Sequence, residues 1–162
     1  MKEPEEVIES KVVALLEAAG TGVEVVGALA VAPDGVEKAA PYTCISVAAD
    51  MASQNLDWKA AGVPCTYSVR VGVRVAFADD KTGGLFRDTC RAVRAALAVL
   101  TGDGCAALDG DGFSCDSFVF GTTYTSMDSA SEIGSAAKVY NATLTGRFIP
   151  PADDSANQQE ES

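Results

Sequence analysis

Histidine is absent from the 162 residues of the chain, and its absence excludes several classes of site. A Ser-His-Asp triad, a histidine general base, and zinc or haem held by imidazole all need this side chain. No apolar run reaches about 18 residues, so we expect no membrane-spanning helix. The apolar core of a signal peptide is also missing near Met1, so we expect no secretory leader.

Cysteine is present, but without the spacing of a metal site. The number of cysteines is odd and no CxxC pair occurs: Cys44, Cys65, Cys90, Cys105 and Cys115. We interpret them as reduced thiols in a cytosol rather than as a disulfide framework. Cys90 falls in an apolar helical stripe, which favours a role in the core over a reactive role.

Basic residues are few: 12 Lys and Arg stand against 23 Asp and Glu, giving a net charge of −11. Such a chain is poorly suited to binding nucleic acid by phosphate neutralisation. Much of the acidity lies at the ends, because residues 1–9 carry four Glu against one Lys and residues 150–162 carry two Asp and two Glu. Residues 150–162 show no apolar periodicity, so we predict a single domain over 1–149 followed by an acidic disordered tail.

Apolar periodicity predicts two helices. The first covers about residues 4–19, with Pro4 and glutamates at its start and glycines after its end. The second begins near Phe86 and ends at Gly102. The arginines of the second helix are spaced four and three apart and therefore share one face: Arg87, Arg91 and Arg94.

The clearest strand signal covers residues 65–77, where apolar residues alternate with polar or small ones over all thirteen positions. Further strands are predicted over 23–32, 42–48, 114–125 and 139–149. The Ser- and Ala-rich stretch 126–137 is predicted to be a loop. This order indicates the α+β class, with a mainly antiparallel β-sheet packed against two α-helices and a long strand or hairpin extending from it.

Two glycine-containing motifs have competing interpretations. Asp103, Asp109 and Asp111 could form a calcium loop, but an EF-hand needs a glutamate at its twelfth position, which is missing. Gly83 and Gly84 precede the second helix and could offer amides to an anion. Since neither GxGxxG nor a P-loop pattern is present, we favour plain turns at both places. We predict no catalytic residue, no metal site and no cofactor.

Half of the twelve basic residues lie between positions 70 and 94, where six bases against three acids give +3. This window is either ordinary solvated surface or a docking surface for an acidic partner, such as the acidic end of a neighbouring copy. Trp58 lies in a polar stretch and is either a core residue or an interface anchor. The candidate interface residues are Arg70, Arg74, Arg87, Arg91, Arg94 and Trp58.

The order of these segments resembles that of the tail terminator proteins of long-tailed bacteriophages. The likeness covers about residues 4–149 and contains no signature motif. It is carried by EEVIESKVVALLEAAG, VEVVGALAV, PYTCISVAAD, the long strand YSVRVGVRVAF, the helix FRDTCRAVRAALAVL and the last strand YNATLTGRFIP.

The resemblance implies a small α+β virion protein that forms a ring, commonly hexameric, on the last ring of tail-tube subunits. Such a ring stops tube growth and joins the tail to the head connector, and it is assembled in the bacterial cytoplasm. DNA would pass through its lumen without specific binding, which an acidic wall would favour by like-charge repulsion. Two alternatives remain open: a head-completion or head–tail joining protein of the neck, and a small ligand-binding α+β domain.

Overall fold

The computed structural model describes residues 3–27, 43–51, 64–110, 112–128 and 134–148. The elements in chain order are α1 (Pro4–Ala18), β1 (Val25–Gly27), β2 (Cys44–Met51), β3 (Pro64–Ala76), α2 (Gly84–Ala98), β4 (Phe113–Asp128) and β5 (Ser135–Phe148). Two 3₁₀ helices, Phe77–Asp79 and Gly102–Leu108, precede and follow α2. The α+β class predicted from the sequence is therefore confirmed.

The strands form one five-stranded sheet in the order β1-β2-β3-β5-β4. β1 pairs with β2 in parallel, and the three other neighbouring pairs are antiparallel. The sheet is thus mixed, although its parallel part is confined to the three residues of β1. The expectation of two helices against this sheet is incomplete, because the 3₁₀ helix Gly102–Leu108 also contributes buried side chains to the core.

Alternation along β3 gives the sheet one buried and one open face. Val69, Val71, Val73 and Val75 are all buried beneath the helices, as the period-two pattern predicts. On β5 the buried partners include Leu144, which lies opposite Tyr67 in the antiparallel register. The side chain of Phe148, the last residue of β5, lies outside the described set.

α1 begins where the sequence supplies an N-terminal signal. Pro4 occupies the first turn, and Glu3 and Glu6 form a reciprocal capping box, with the Glu3 amide 3.2 Å from the Glu6 carboxylate. Apolar residues at helical spacing then pack into the core: Val7, Ile8, Val12 and Leu16. The helix ends at Ala18, and Gly20 follows at a φ of +65°.

One sequence prediction differs from the structure at the far end of β4 and β5. The loop predicted over 126–137 is wrong at 126–128 and 135–137, because β4 continues to Asp128 and β5 begins at Ser135; residues 129–133 lie outside the described residues. Ser and Ala have weak strand propensity, but pairing of β5 with both β3 and β4 satisfies their backbone groups. Of the strand predicted over 23–32, Val25–Gly27 form a strand, and residues 28–32 lie outside the described residues. Trp58, Asp111 and the acidic segment 150–162 lie outside the described residues.

The long exposed strand is β4 rather than β3. β3 lies between β2 and β5 within the sheet, whereas β4 forms one edge. Residues 121–127 of β4 are all exposed, and register shifts occur between Cys115 and Ser117 and between Phe120 and Thr123. No helix in the described ranges is both long and apolar enough to cross a membrane.

Candidate functional site

The basic window of the sequence is divided between two sides of the sheet. Arg70 and Arg74 alternate with the buried valines of β3, so they project from the open face. Arg87, Arg91 and Arg94 lie on α2, whose Cys90, Val93 and Leu97 pack against the opposite face. Residues that are close in sequence therefore belong to two separate surfaces.

The two arginines of the open face differ in their surroundings. Arg74 is half-buried and lies opposite Cys44 in the antiparallel register of β2 and β3. Burial raises the pKa of the Cys44 thiol, and the Arg74 guanidinium offsets part of that rise. Arg70 is exposed, so it is the more accessible of the two.

The three arginines of α2 line a groove between this helix and the β4–β5 hairpin. The groove has a volume of about 330 Å³. We call it the basic groove, and its lining residues are Phe86, Arg87, Cys90, Arg91, Arg94, Thr125, Lys138 and Tyr140. Four of these eight residues are cationic and none is acidic, in a chain whose net charge is −11.

Tyr140 forms the floor of the basic groove. Its hydroxyl donates a hydrogen bond to the backbone carbonyl oxygen of Cys90, at 3.0 Å, and both residues are buried. Burial raises the pKa of Tyr140 to about 12, so the hydroxyl stays protonated at neutral pH. The ammonium of Lys138 lies 5.3 Å from the centroid of the same ring, within the range of a cation–π contact.

Little of the positive charge of the basic groove is neutralised within the described part of the chain. Asp88 accepts a hydrogen bond from the Arg91 guanidinium at 3.3 Å, but both side chains are largely exposed, so the pair is weak. Arg87, Arg94 and Lys138 form no ion pair with a described residue. Among the described residues, the four cations of the groove therefore have two nearby carboxylates, Asp88 beside Arg91 and Asp80 close to Arg87.

The glycines before α2 lie in a turn, and the backbone amides of the helix that follows them already bind a carboxylate. Asp80 accepts hydrogen bonds from the backbone amides of Leu85 and Phe86, at 3.1 and 2.9 Å. The hydrogen bond from Phe86, followed by that from Leu85, holds the pKa of Asp80 below its ordinary value. Gly83 allows the chain to turn at a φ of +77°. The chain's own carboxylate therefore occupies the position that an anion would take.

In the glycine-containing motif with Asp103, Asp109 and Asp111, the carboxylate of Asp109 has a structural role. Asp109 accepts a hydrogen bond from the Cys115 amide at 2.6 Å, which fixes the start of β4 beside the 3₁₀ helix Gly102–Leu108. Within the described ranges, no three or more acidic, Cys or His side chains gather as a metal site would require. The five cysteines are all buried with free thiols.

Lys138 is the groove residue that sequence reasoning missed. It falls between the stretch predicted as a loop and the strand predicted to begin at position 139. Extending the predicted strand back by one residue would have included Lys138. Its side chain would then share a face with Tyr140, because residues two apart on a strand point to the same side. The helical spacing of Arg87, Arg91 and Arg94 was sufficient to place those three side chains together.

The chemistry of the basic groove suits a partner that carries several carboxylates or phosphates. Guanidinium groups bind both kinds of anion through paired hydrogen bonds, and the buried ring of Tyr140 limits competition from water. Comparison of the chain with protein-family models and with curated proteins gives no match.

Proposed function

We propose that the protein is a virion structural protein, a tail terminator that assembles as a ring on the end of the tail tube. The ring, commonly hexameric in the family that the sequence resembles, stops polymerisation of the tube and joins the tail to the head connector. It acts at the head-proximal end of the tail, and DNA passes through its lumen without specific binding. The proposal is supported by the order of segments and by two surfaces suited to assembly.

The observation that carries the proposal is the exposed edge strand β4. In the described ranges, no strand pairs with the outer edge of β4. Val119, Tyr124 and Met127 are 59%, 59% and 72% exposed on this strand. An unpaired edge with apolar side chains favours pairing with another chain, and monomeric proteins usually protect such edges. We therefore place a subunit contact at β4.

The basic groove supplies a second surface of different character. Subunits of a closed ring meet head to tail, so each one presents two unlike surfaces to its two neighbours. A concentrated basic groove on a chain with excess acid is compatible with such contacts between copies, or with an acidic tube subunit below.

The assembly state and the effect on tail tubes test the proposal. Light scattering and negative-stain microscopy of the purified protein should show rings, and added protein should halt elongation of polymerising tail tubes. Tyr124→Lys on β4 should reduce both, whereas Val99→Lys, which changes an equally exposed residue (60%) at the end of α2, should not.

Three results would contradict a tail terminator. A protein that stays monomeric and never binds tube ends would exclude it. Binding to the head connector without binding to tubes would favour the neck protein. A clear rise in melting temperature with a metabolite would favour the ligand-binding domain.

A further inference from the structure

We propose that the basic groove binds the acidic segment 150–162 of a second copy of this chain. The inference rests on the proposed function only in requiring that copies lie side by side. It assigns to the groove a partner of defined chemistry, a short peptide with paired carboxylates.

The first argument is charge. Arg87, Arg91 and Arg94 lie on one face of α2, with Lys138 across the groove. Among the described residues, their counter-charges are Asp88, paired with Arg91, and Asp80, close to Arg87, so positive charge remains in excess. Like charges held this close repel one another unless a partner supplies acids. Residues 150–162 carry four acids and no base: Asp153, Asp154, Glu160 and Glu161. The charges of the groove and of this segment are therefore complementary.

The second argument is reach, which favours a second copy over the same molecule. Lys138 lies ten residues before Phe148 on β5, a distance of about 33 Å along an extended strand. Asp153 and Asp154 follow Phe148 by five and six residues, which span at most about 22 Å when fully extended. The Asp153–Asp154 pair therefore cannot reach Lys138 of its own chain, but it can enter the groove of a neighbour. Glu160 and Glu161 follow Phe148 by twelve and thirteen residues, at most about 47 Å, so these two acids could reach Lys138 of their own chain. The contact between copies is accordingly assigned to the Asp153–Asp154 pair.

The alternative polyanion is nucleic acid, and the overall charge of the chain disfavours it. The phosphates of a duplex would continue past the groove onto the surface of a chain with net charge −11. A short acidic peptide concentrates its charge where the four cations lie. We therefore choose the peptide and treat nucleic acid as a competing outcome of the test.

Binding of a labelled peptide tests the groove itself. A fluorescent peptide with the sequence of residues 150–162 is titrated with the full chain, and its anisotropy is followed. Arg91→Glu with Arg94→Glu should weaken binding by about ten-fold or more, because charge-assisted contacts become repulsive. Lys11→Glu with Arg147→Glu makes the same change in net charge on exposed residues outside the groove and should leave binding within about two-fold.

A cross-link between separately purified chains tests whether the contact is between copies. Thr125→Cys places a thiol in the groove, and Ser155→Cys places one beside Asp154; the native cysteines are all buried. Mixed under mild oxidation by oxidised glutathione, the two variants should form a disulfide-linked heterodimer. Thr143 is also an exposed threonine, but it lies on the open face of the sheet. Thr143→Cys mixed with Ser155→Cys should therefore form far less of the disulfide-linked heterodimer.

Four results of these two experiments would overturn the inference. Equal loss of peptide binding in both double variants would mean unspecific charge attraction. Equal binding of a peptide with Asn and Gln in place of its four acids would exclude charge recognition. Groove-dependent binding of a short DNA duplex with no binding of the peptide would assign the groove to nucleic acid. Cross-linking only within the doubly substituted chain Thr125→Cys, Ser155→Cys would make the contact intramolecular.

The outcome is separable from that of the proposed function. Rings that cap tubes without any groove-to-segment cross-link would overturn this inference and leave the tail terminator intact. A strong cross-link in a protein that never binds tube ends would support this inference and contradict the tail terminator.

Discussion

The Tyr140 hydroxyl lies 3.0 Å from the Cys90 carbonyl oxygen and joins β5 to the middle of α2 through a buried hydrogen bond. The same tyrosine ring carries Lys138 on its face, and the same helix carries the three arginines. This contact therefore sets the distance between the two walls of the basic groove. A carbonyl oxygen inside a helix can accept this second donor because it has two lone pairs.

Removing that hydroxyl tests its contribution to stability. Tyr140→Phe should lower the free energy of unfolding by about 1 kcal/mol, the usual net value of one buried neutral hydrogen bond. Urea denaturation measures the change, with Tyr124→Phe as the matched control because Tyr124 is exposed. Equal effects of the two substitutions would show that the contact adds nothing to stability.

The core face of β3 gives a larger expected effect. Val73 is fully buried, so Val73→Asp would place a carboxylate among apolar side chains and should destabilise the fold by several kcal/mol. Val119→Asp, on the exposed edge strand, should cost much less. Circular dichroism during thermal unfolding compares the two, and a folded Val73→Asp protein with an unchanged melting temperature would contradict the assignment of faces.

Alternation along β3 was sufficient to predict the buried face, since the side chains of a half-buried strand differ in polarity at every step. The strand ends at 126–128 and 135–137 could not be predicted in this way. Their Ser and Ala residues do not alternate in polarity, and the strand structure of 135–137 depends on pairing with β3, more than fifty residues earlier in sequence. The local sequence pattern of a segment carries no information about a pairing partner so far away in the sequence.

The basic groove was predictable only in part for the same reason. Helical spacing unites Arg87, Arg91 and Arg94, but Lys138 joins them through the pairing of β5 within the sheet. Counting charge along the chain also grouped Arg70 and Arg74 with the arginines of α2. These two residues alternate with the buried valines of β3 and therefore lie on the opposite face of the sheet.

The Asp80 carboxylate should give a pH-dependent contribution to stability. Its folded pKa is lowered from the ordinary value of 3.8 by hydrogen bonds from Phe86 and Leu85. A lowered folded pKa means that the stabilisation is complete above the unfolded pKa and is lost as the pH falls through the folded value.

Asp80→Ala should accordingly lower the urea midpoint at pH 7, and its difference from the wild type should shrink below about pH 4. Asp88→Ala removes an exposed carboxylate from α2, the helix whose amides Asp80 binds, and serves as the control. A deficit of Asp80→Ala that stays constant from pH 7 to about pH 2.5 would contradict the capping role.

Thiol reactivity tests the burial of the cysteines. Burial raises the pKa of Cys44, Cys65 and Cys90, and that of Cys115 most strongly, so little thiolate is present at neutral pH. A disulfide reagent at pH 7.5 should therefore modify the native protein slowly, and all five thiols should react after denaturation. Rapid modification of the native chain would show that at least one thiol is accessible.

Charge reversal on α2 tests whether the basic groove contributes to assembly. Arg91→Glu with Arg94→Glu should leave the monomer folded, because each exposed substitution usually changes stability by no more than about 0.5 kcal/mol. The double variant should nevertheless form fewer rings and cap fewer tubes, since its carboxylates repel the acidic surface that the arginines attract. Tube length and the fraction of capped ends, counted by microscopy, measure the effect, with Lys11→Glu and Arg147→Glu as the charge-matched control. The difference between the two double variants should narrow as salt rises from 0.1 M to 1 M, because screening shortens from about 10 Å to about 3 Å. If the α2 variant caps tubes of normal length at the wild-type concentration, these arginines are ordinary solvated surface and assembly depends on β4 alone.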